Sequence, residues 1–432
     1  MRRSSLAPYA LLAALAGCGQ VATLQDAAPD AFIADADTTP DAAVAGVVKV
    51  TVLDPNNGTP AVNVPVVFQN ADGTVVLDGH SSGTGTAMAT MLAGGSVSAV
   101  IPDGASAFQV LTVLGVVPGD DITLGNAARD QSNIGTFTIT NIPVIYSGYT
   151  AYVYGPCGSV NIPANTTSVV LTLRNDCKDN TTDLLLVQTS GTTTYSLLKP
   201  NVMFRGNTTE SVQGFDWNYD SAFTASVLGL PLDIDNANIS RRTAPDYGYS
   251  DSSPFTVGQA TGAVTLQAPQ ATTAYMNFSM GRANSQVLQL EKIAGQSHTY
   301  GVDATTMLPW ISDVTGDLGA NTIAWTEATA GTGDIMALGF NFKRATVQYN
   351  WIVFGPPSLS GLTLPTLPAD AGGVNPVATD TLNQIFVYRL DQASTTGYDA
   401  LRRDPFRAFN GAFGGQTETK LRLSLGAAGG LN

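Results

Sequence analysis

Residues 46–69 read GVVKVTVLDPNNGTPAVNVPVVFQ and carry the pattern that decides the fold. Apolar side chains recur at every second position in two runs, at Val48, Val50 and Val52 and then at Val62, Val64, Val66 and Phe68. Successive side chains of a strand point to opposite faces, so each run predicts a strand with one buried face. The turn cluster DPNNGTPA at 54–61 separates the runs and predicts a chain reversal between them.

The same alternation extends through the rest of the chain. Further strands are predicted at 86–92, 96–101, 136–140, 150–154, 168–173, 184–188 and 223–227. The clearest hairpin has alternating Met336, Leu338, Phe340 and Phe342 before Lys343-Arg344 and alternating Val347, Tyr349, Trp351 and Val353 after it. Short strands at this spacing predict an all-β fold of tandem immunoglobulin-like β-sandwich domains.

Composition agrees with this fold class and limits the partners. The 432 residues suffice for two to four domains, and only 12% of them are charged, while 44 are Gly and 23 are Pro. Four of the 34 acidic residues are Glu and the rest are Asp, which favours turns over helix interiors, so few helices are expected. The net charge of -14 argues against a nucleic-acid partner, because phosphate contacts need clustered Lys and Arg.

The N-terminus has the parts of an export signal. Arg2 and Arg3 precede an apolar stretch of 11 residues, which is too short to span a membrane. The tetrad Leu15-Ala16-Gly17-Cys18 that follows resembles the lipobox of bacterial lipoproteins. The resemblance implies a signal peptide at 1–17, cleavage before Cys18 and a membrane anchor through lipid on that cysteine.

The residues after Cys18 indicate where the anchored protein resides. Gly19 follows the cysteine, and the lipoprotein resemblance then implies the outer membrane of the cell envelope. Residues 18–45 contain five Asp and no basic residue, so like charges predict an acidic disordered tether between the lipid and the first domain.

Two parts of the remaining chain resemble known modules. The run from VTVLDPNNGTPAVNVPVVFQ to GSVSAV resembles bacterial immunoglobulin-like modules and, equally, carboxypeptidase-regulatory-like modules. TIAWTE at 322–327, with the hairpin after it, resembles a fibronectin type III sandwich. The resemblances imply binding or spacer modules, and the predicted domains are a first sandwich at 46–127, a second at 128–230, a β-rich domain at 231–309 and a fibronectin type III-like domain at 310–432.

The predicted export also predicts the oxidation state of the two remaining cysteines. With Cys18 lipidated, Cys157 and Cys177 are left in an oxidising compartment, where such a pair normally forms a structural disulfide.

Motifs for catalysis and metal binding are weak. Gly79-His80-Ser81-Ser82-Gly83 has the spacing of a nucleophile elbow, but a Thr- and Gly-rich strand pattern follows it where a helix is required, so a hairpin tip is predicted. No cofactor is expected except calcium, for which Asp233, Asp235, Asn236 and Asn238 offer oxygen ligands at close spacing.

Two groups of residues are candidates for ligand binding. Phe215, Trp217 and Tyr219 alternate, so their rings could share one strand face and stack on a sugar, although core packing is the alternative. Arg402, Arg403 and Arg407 form the densest basic patch and could meet an anionic glycan, a lipid headgroup or an acidic partner. The alternative is a short helix docked through Phe406, Phe409 and Phe413, with the Arg side chains in solvent.

The predicted function is non-catalytic adhesion, ligand binding or scaffolding at the cell envelope, with a glycan or an envelope protein as partner. The alternative is a carbohydrate-active or other hydrolase with accessory sandwiches, in which Glu210, Glu291 and Glu327 would be the acids to test.

Overall fold

The protein is all-β, as predicted, and about 59% of the residues that the structure describes lie in strands and 5% in helices. The computed structural model describes residues 44–55, 57–126, 132–177, 181–191, 193–220, 222–243, 248–269, 271–327, 333–395, 397–413 and 419–428. The signal peptide, Cys18 and nearly all of the tether lie outside the described residues. Among the described residues, no helix has the length and apolar character needed to cross a bilayer.

The strands follow one another closely along the chain. The first fourteen are β1 Gly46–Val52, β2 Pro65–Gln69, β3 Val75–His80, β4 Thr86–Met91, β5 Gly95–Pro102, β6 Ala107–Val116, β7 Asp121–Leu124, β8 Asn133–Thr140, β9 Thr150–Gly155, β10 Gly158–Ile162, β11 Ser168–Arg174, β12 Thr181–Ser190, β13 Thr193–Met203 and β14 Thr208–Ser211. The next fifteen are β15 Asn218–Tyr219, β16 Ala222–Leu228, β17 Asn236–Arg242, β18 Ser250–Pro254, β19 Thr261–Gln267, β20 Thr273–Arg282, β21 Ser285–Ala294, β22 Thr299–Asp303, β23 Ile311–Asp317, β24 Thr322–Glu327, β25 Ile335–Arg344, β26 Val347–Gly355, β27 Gly361–Thr363, β28 Thr381–Gln392 and β29 Lys420–Ala428.

The helices are short. Two α-helices, α1 Tyr398–Leu401 and α2 Pro405–Phe413, lie between β28 and β29. Three 3-10 turns cover Asn175–Cys177, Ala304–Thr306 and Ala369–Ala371.

Asparagine explains many of the tight turns between strands. Seven of the nine described non-glycine residues with positive φ are Asn, at φ between 57° and 64°: Asn63, Asn141, Asn165, Asn201, Asn207, Asn284 and Asn321. Asn tolerates this left-handed region because its short amide can bond to the local backbone.

A twelve-stranded sheet runs through most of the described chain, in the order β18-β17-β20-β21-β29-β28-β25-β26-β6-β5-β2-β3. The pair β26 and β6 is parallel, with Trp351 opposite Val110, and its neighbours in the sheet pair antiparallel. Three of the four predicted domains therefore contribute strands to one sheet, and residues from Val44 onward form one compact unit. The boundaries at 127, 230 and 309 remain predictions.

Two small sheets cover opposite faces of this central sheet. The sheet β4-β1-β7 shares a core with β2, β5 and β6, in which Val50 packs with Phe68. Val67, the neighbour of Phe68, packs instead with Trp325 of the sheet β23-β24-β27. Adjacent residues of a strand point to opposite faces, so the two small sheets lie on opposite sides. Val62 is exposed because the second strand begins only at Pro65, so the prediction that Val62 faces the core is wrong.

A third small sheet, β19-β16-β22, packs against β17, β20 and β21 through Phe223, Met276 and Phe278. The two remaining sheets form a sandwich of their own, with β10-β9-β12-β13-β15 facing β11-β8-β14. We call it the second sandwich, and its core contains Phe137 and Phe204, whose ring centroids are 4.6 Å apart.

A disulfide joins Cys157 to Cys177 within the second sandwich, with 5.4 Å between the two Cα atoms. Cys157 lies in the β9–β10 turn and Cys177 ends the 3-10 turn after β11, so the bond ties the two facing sheets together.

Candidate functional site

Four tyrosines meet near the β12–β13 turn of the second sandwich, and we call them the tyrosine cluster: Tyr146, Tyr149, Tyr195 and Tyr219. Tyr195 is the centre, with its ring centroid 5.0 Å from that of Tyr146, 5.8 Å from that of Tyr149 and 5.5 Å from that of Tyr219. The interplanar angles are between 67° and 85°, which is the favourable edge-to-face arrangement.

Strand pairing and a loop bring the four rings together. Tyr195 on β13 lies directly opposite Tyr219 on β15. Tyr146 and Tyr149 belong to the connection between β8 and β9, where the Tyr149 amide donates to the Tyr146 carbonyl at 3.1 Å. Trp217 Nε1 donates to the carbonyl of Val144 at 3.1 Å, which ties this connection to the segment that carries Tyr219.

A buried glutamine supports the tyrosine cluster from inside. Gln188 on β12 pairs with Tyr195 in the strand register, and its Oε1 accepts a hydrogen bond from the Tyr146 amide at 2.9 Å. The Gln188 side chain is fully buried, and its Nε2 has no hydrogen-bond partner among the described residues. The cluster therefore rests on a polar group that still has an unused donor.

The outer part of the tyrosine cluster is open to solvent. Tyr219 is 66% exposed and Tyr146 is 43% exposed, whereas Tyr149 and Tyr195 are half-buried. Desolvation, followed by the neighbouring Tyr149, Tyr146 and Tyr219, raises the pKa of Tyr195, so its hydroxyl stays protonated at neutral pH. The cations that stack on rings in the described chain stack on aromatics outside the cluster.

The predicted aromatic trio is divided by the structure. Phe215 and Trp217 pack partly buried against the core of the second sandwich, and only Tyr219 reaches the tyrosine cluster. The trio does not share a strand, because β15 contains only Asn218 and Tyr219. The signal for Tyr146 and Tyr149 was the tyrosine-rich run YSGYTAYVY at 146–154, of which only 150–154 was predicted as a strand.

The predicted basic patch is used largely for docking. Arg402 is buried and donates from Nε to Asp120 at 2.7 Å and from Nη2 at 3.1 Å, and Arg403 Nε is 3.3 Å from the same carboxylate. Burial alone would raise the pKa of Asp120, but hydrogen bonds from Arg402 and the Val117 amide lower it overall. The third arginine, Arg407, has an exposed side chain and interacts electrostatically with Asp404.

The predicted calcium ligands are spread along a turn and a strand. Asp233 accepts a hydrogen bond from Arg282 at 2.6 Å, and the Asp235 amide donates to the backbone at Gly281. Asn236 and Asn238 are exposed on β17. The part of the chain that the structure describes holds no group of three or more His, Cys, Asp or Glu side chains that could bind a metal ion. Calcium binding stays a prediction.

The candidate catalytic groups all hold structural contacts. Glu210 pairs with Lys199. Glu291 accepts from Tyr300 at 2.8 Å, and Glu327 accepts from buried Arg389 at 2.5 Å. Ser81 is buried, and its Oγ donates to the Ala61 carbonyl at 2.6 Å.

Comparisons with known proteins give little further information. No family model matches the chain, and no curated protein matches it. Three solved structures overlap weakly: the Bacillus anthracis TIE protein (10% identity, 60% of this chain and 50% of that one, TM-score 0.15), a Ca²⁺-stabilised adhesin with which an Antarctic bacterium binds ice (11%, 82% and 97%, 0.12) and BcpA, the major pilin subunit of Bacillus cereus (9%, 60% and 98%, 0.15). TM-scores this low carry no functional inference.

Proposed function

We propose that the protein is an exported, lipid-anchored envelope protein that binds a ligand without catalysis and thereby serves adhesion or ligand capture. The observation that carries the proposal is the tyrosine cluster, which exposes aromatic surface at a fixed place on a rigid scaffold. Tyrosine provides large contact area at low cost in conformational entropy, which is why binding surfaces use it.

The contacts of the carboxylates support binding over hydrolysis. A glycosidase needs two carboxyl groups that exchange protons with substrate or water. Glu210, Glu291 and Glu327 each bond across a sheet interface, to Lys199, Tyr300 and Arg389 of the facing sheet. Removing any of them would take a hydrogen-bond acceptor away from its partner, so their role is structural in this proposal.

The proposed anchor is lipidated Cys18, in the outer membrane. The acidic residues 18–45 would separate the first strand from a negatively charged lipid surface, because like charges repel. The sandwiches would then be presented away from the membrane, where the tyrosine cluster can meet a ligand.

Adhesion of whole cells tests this function. Cells that produce the wild-type protein are compared with cells that produce a Tyr146→Ala/Tyr219→Ala double variant on surfaces coated with glycans or envelope proteins. Leu232→Ala is the control, because Leu232 is 68% exposed and lies outside the cluster. The proposal expects adhesion to fall only in the double variant, and equal adhesion of all three strains would refute it.

A further inference from the structure

We infer that the tyrosine cluster binds a neutral pyranose glycan, an inference that rests on the proposed function. A pyranose ring presents a face of C–H groups and a rim of hydroxyls. Tyr146 and Tyr219 match both features, because each is an exposed side chain that combines an apolar ring with a phenolic hydroxyl.

The hydrogen-bonding groups at the tyrosine cluster match a hydroxyl-rich ligand. The four phenolic hydroxyls have no hydrogen-bond partner among the described residues, so each can donate to or accept from a sugar hydroxyl. Gln188 lies beneath this surface, and its bond to the Tyr146 amide fixes the loop that presents two of the rings.

The size of the surface favours a sugar over a protein. Tyr146 is 43% exposed and Tyr219 is 66% exposed, and an aromatic side chain presents about 150–250 Å². The two rings therefore offer roughly 200 Å². A stable protein partner needs about 800 Å² on each side, whereas one or two sugar rings need far less.

The charge of the surroundings favours a neutral glycan over an anionic one. Lys199, the cation nearest along β13, is paired with Glu210 and lies over the ring of Phe215. Asp216 is exposed and lies three residues before Tyr219, and the chain as a whole carries a net charge of -14. A uronate or a sulfated sugar would thus meet repulsion without a compensating cation.

Isothermal titration of the full mature chain tests the inference. The chain is held in lipid nanodiscs, because maltoside or glucoside detergents would compete for the site. The probes are cellohexaose, maltohexaose, laminarihexaose and chitohexaose, with oligogalacturonate as the anionic probe. We expect saturable binding of at least one neutral probe and none of the anionic probe.

Variants assign the binding to the cluster. Tyr219→Ala and Tyr146→Ala are each expected to weaken binding about tenfold, because each removes a stacking ring. Tyr219→Phe keeps the ring and should stay within about threefold of wild type, and Leu232→Ala should not change the affinity.

The outcomes separate the two proposals. If no neutral probe binds, or if the alanine variants bind as wild type does, the glycan inference is overturned. If adhesion of whole cells still depends on Tyr146 and Tyr219 in that case, the proposed function survives with a ligand of another class. If adhesion does not depend on them either, both proposals fall.

Discussion

Asp120→Ala is expected to destabilise the protein strongly, because Asp120 holds the helical segment on the first sandwich. Its carboxylate accepts from Arg402 at 2.7 and 3.1 Å, from Arg403 at 3.3 Å and from the Val117 amide at 2.9 Å. Both Asp120 and Arg402 are buried. Without Asp120, buried Arg402 would keep only the exposed Asp399 as a carboxylate partner. Breaking a buried ion pair in this way costs about 3–5 kcal/mol.

The adjacent residue gives a matched control. Asp121 pairs with Lys49 at 2.8 Å, with side-chain exposures of 62% and 41%. Exposed pairs contribute less than about 1 kcal/mol, so Asp121→Ala should change the free energy of unfolding very little. The two variants make the same substitution at neighbouring positions and differ in the burial of the ion pair.

Equilibrium urea denaturation followed by tryptophan fluorescence measures both free energies. Because Arg402 and the other bonds hold the pKa of Asp120 below its usual value, the stability from this carboxylate is present above its unfolded-state pKa and is lost as the pH falls through the folded-state pKa. The gap between wild type and Asp120→Ala should therefore narrow toward pH 2. A loss at pH 7 below about 1 kcal/mol, or equal to that of Asp121→Ala, would refute the reasoning.

Three further predictions concern other parts of the chain. Replacing both Cys157 and Cys177 with Ala opens a loop with a sequence separation of 20 and should lower the free energy of unfolding by about 3 kcal/mol in urea denaturation, and wild-type stability would contradict this. Burial and the neighbouring Asp370 raise the pKa of Asp78, so its contribution is present at low pH and lost as the pH rises through the folded-state pKa. Asp78→Asn should therefore stabilise the protein at pH 7, by less than about 1 kcal/mol, but not at pH 3, and a loss at pH 7 would contradict that. Cys18→Ser should move the protein out of the membrane fraction or leave an uncleaved precursor, and an unchanged membrane fraction would argue against lipidation.

Periodicity predicted buried faces and one local hairpin, but not which strands distant in sequence become neighbours. The hairpin of β25 and β26 is confirmed, with a turn through Ala345 at a φ of 52°. On its other edge, β26 pairs in parallel with β6, which lies some 240 positions upstream. Trp351 Nε1 on β26 donates to Thr112 Oγ1 on β6 at 3.0 Å. A period of two specifies the face of a strand and leaves its edges undetermined, so the twelve-stranded sheet could not be derived from the sequence.

The partners of the basic patch could not be predicted from the sequence either. Phe406 packs on Phe354 with 4.8 Å between ring centroids, so the docked helix that the sequence allowed is present. The docked-helix alternative predicted solvent-exposed arginines, but Arg402 is buried against Asp120. This partner could not be found from local sequence, since it lies 282 positions away. A charged residue whose partner is distant in sequence cannot be distinguished from a solvated one by local pattern.

The tyrosine cluster could not be predicted from the sequence for a related reason. Core positions recur with the strand period because burial constrains every second residue, so the scaffold can be predicted from the spacing of apolar residues. Tyr146 and Tyr149 belong to a connection, where no period applies, and their position depends on bonds to Gln188 and Trp217. The sequence places Tyr219 with Trp217, but only strand pairing places it beside Tyr195. A binding surface formed by the connections of a sandwich can therefore be located only once the strands are paired. The signal available beforehand is local composition, here the tyrosine-rich run at 146–154.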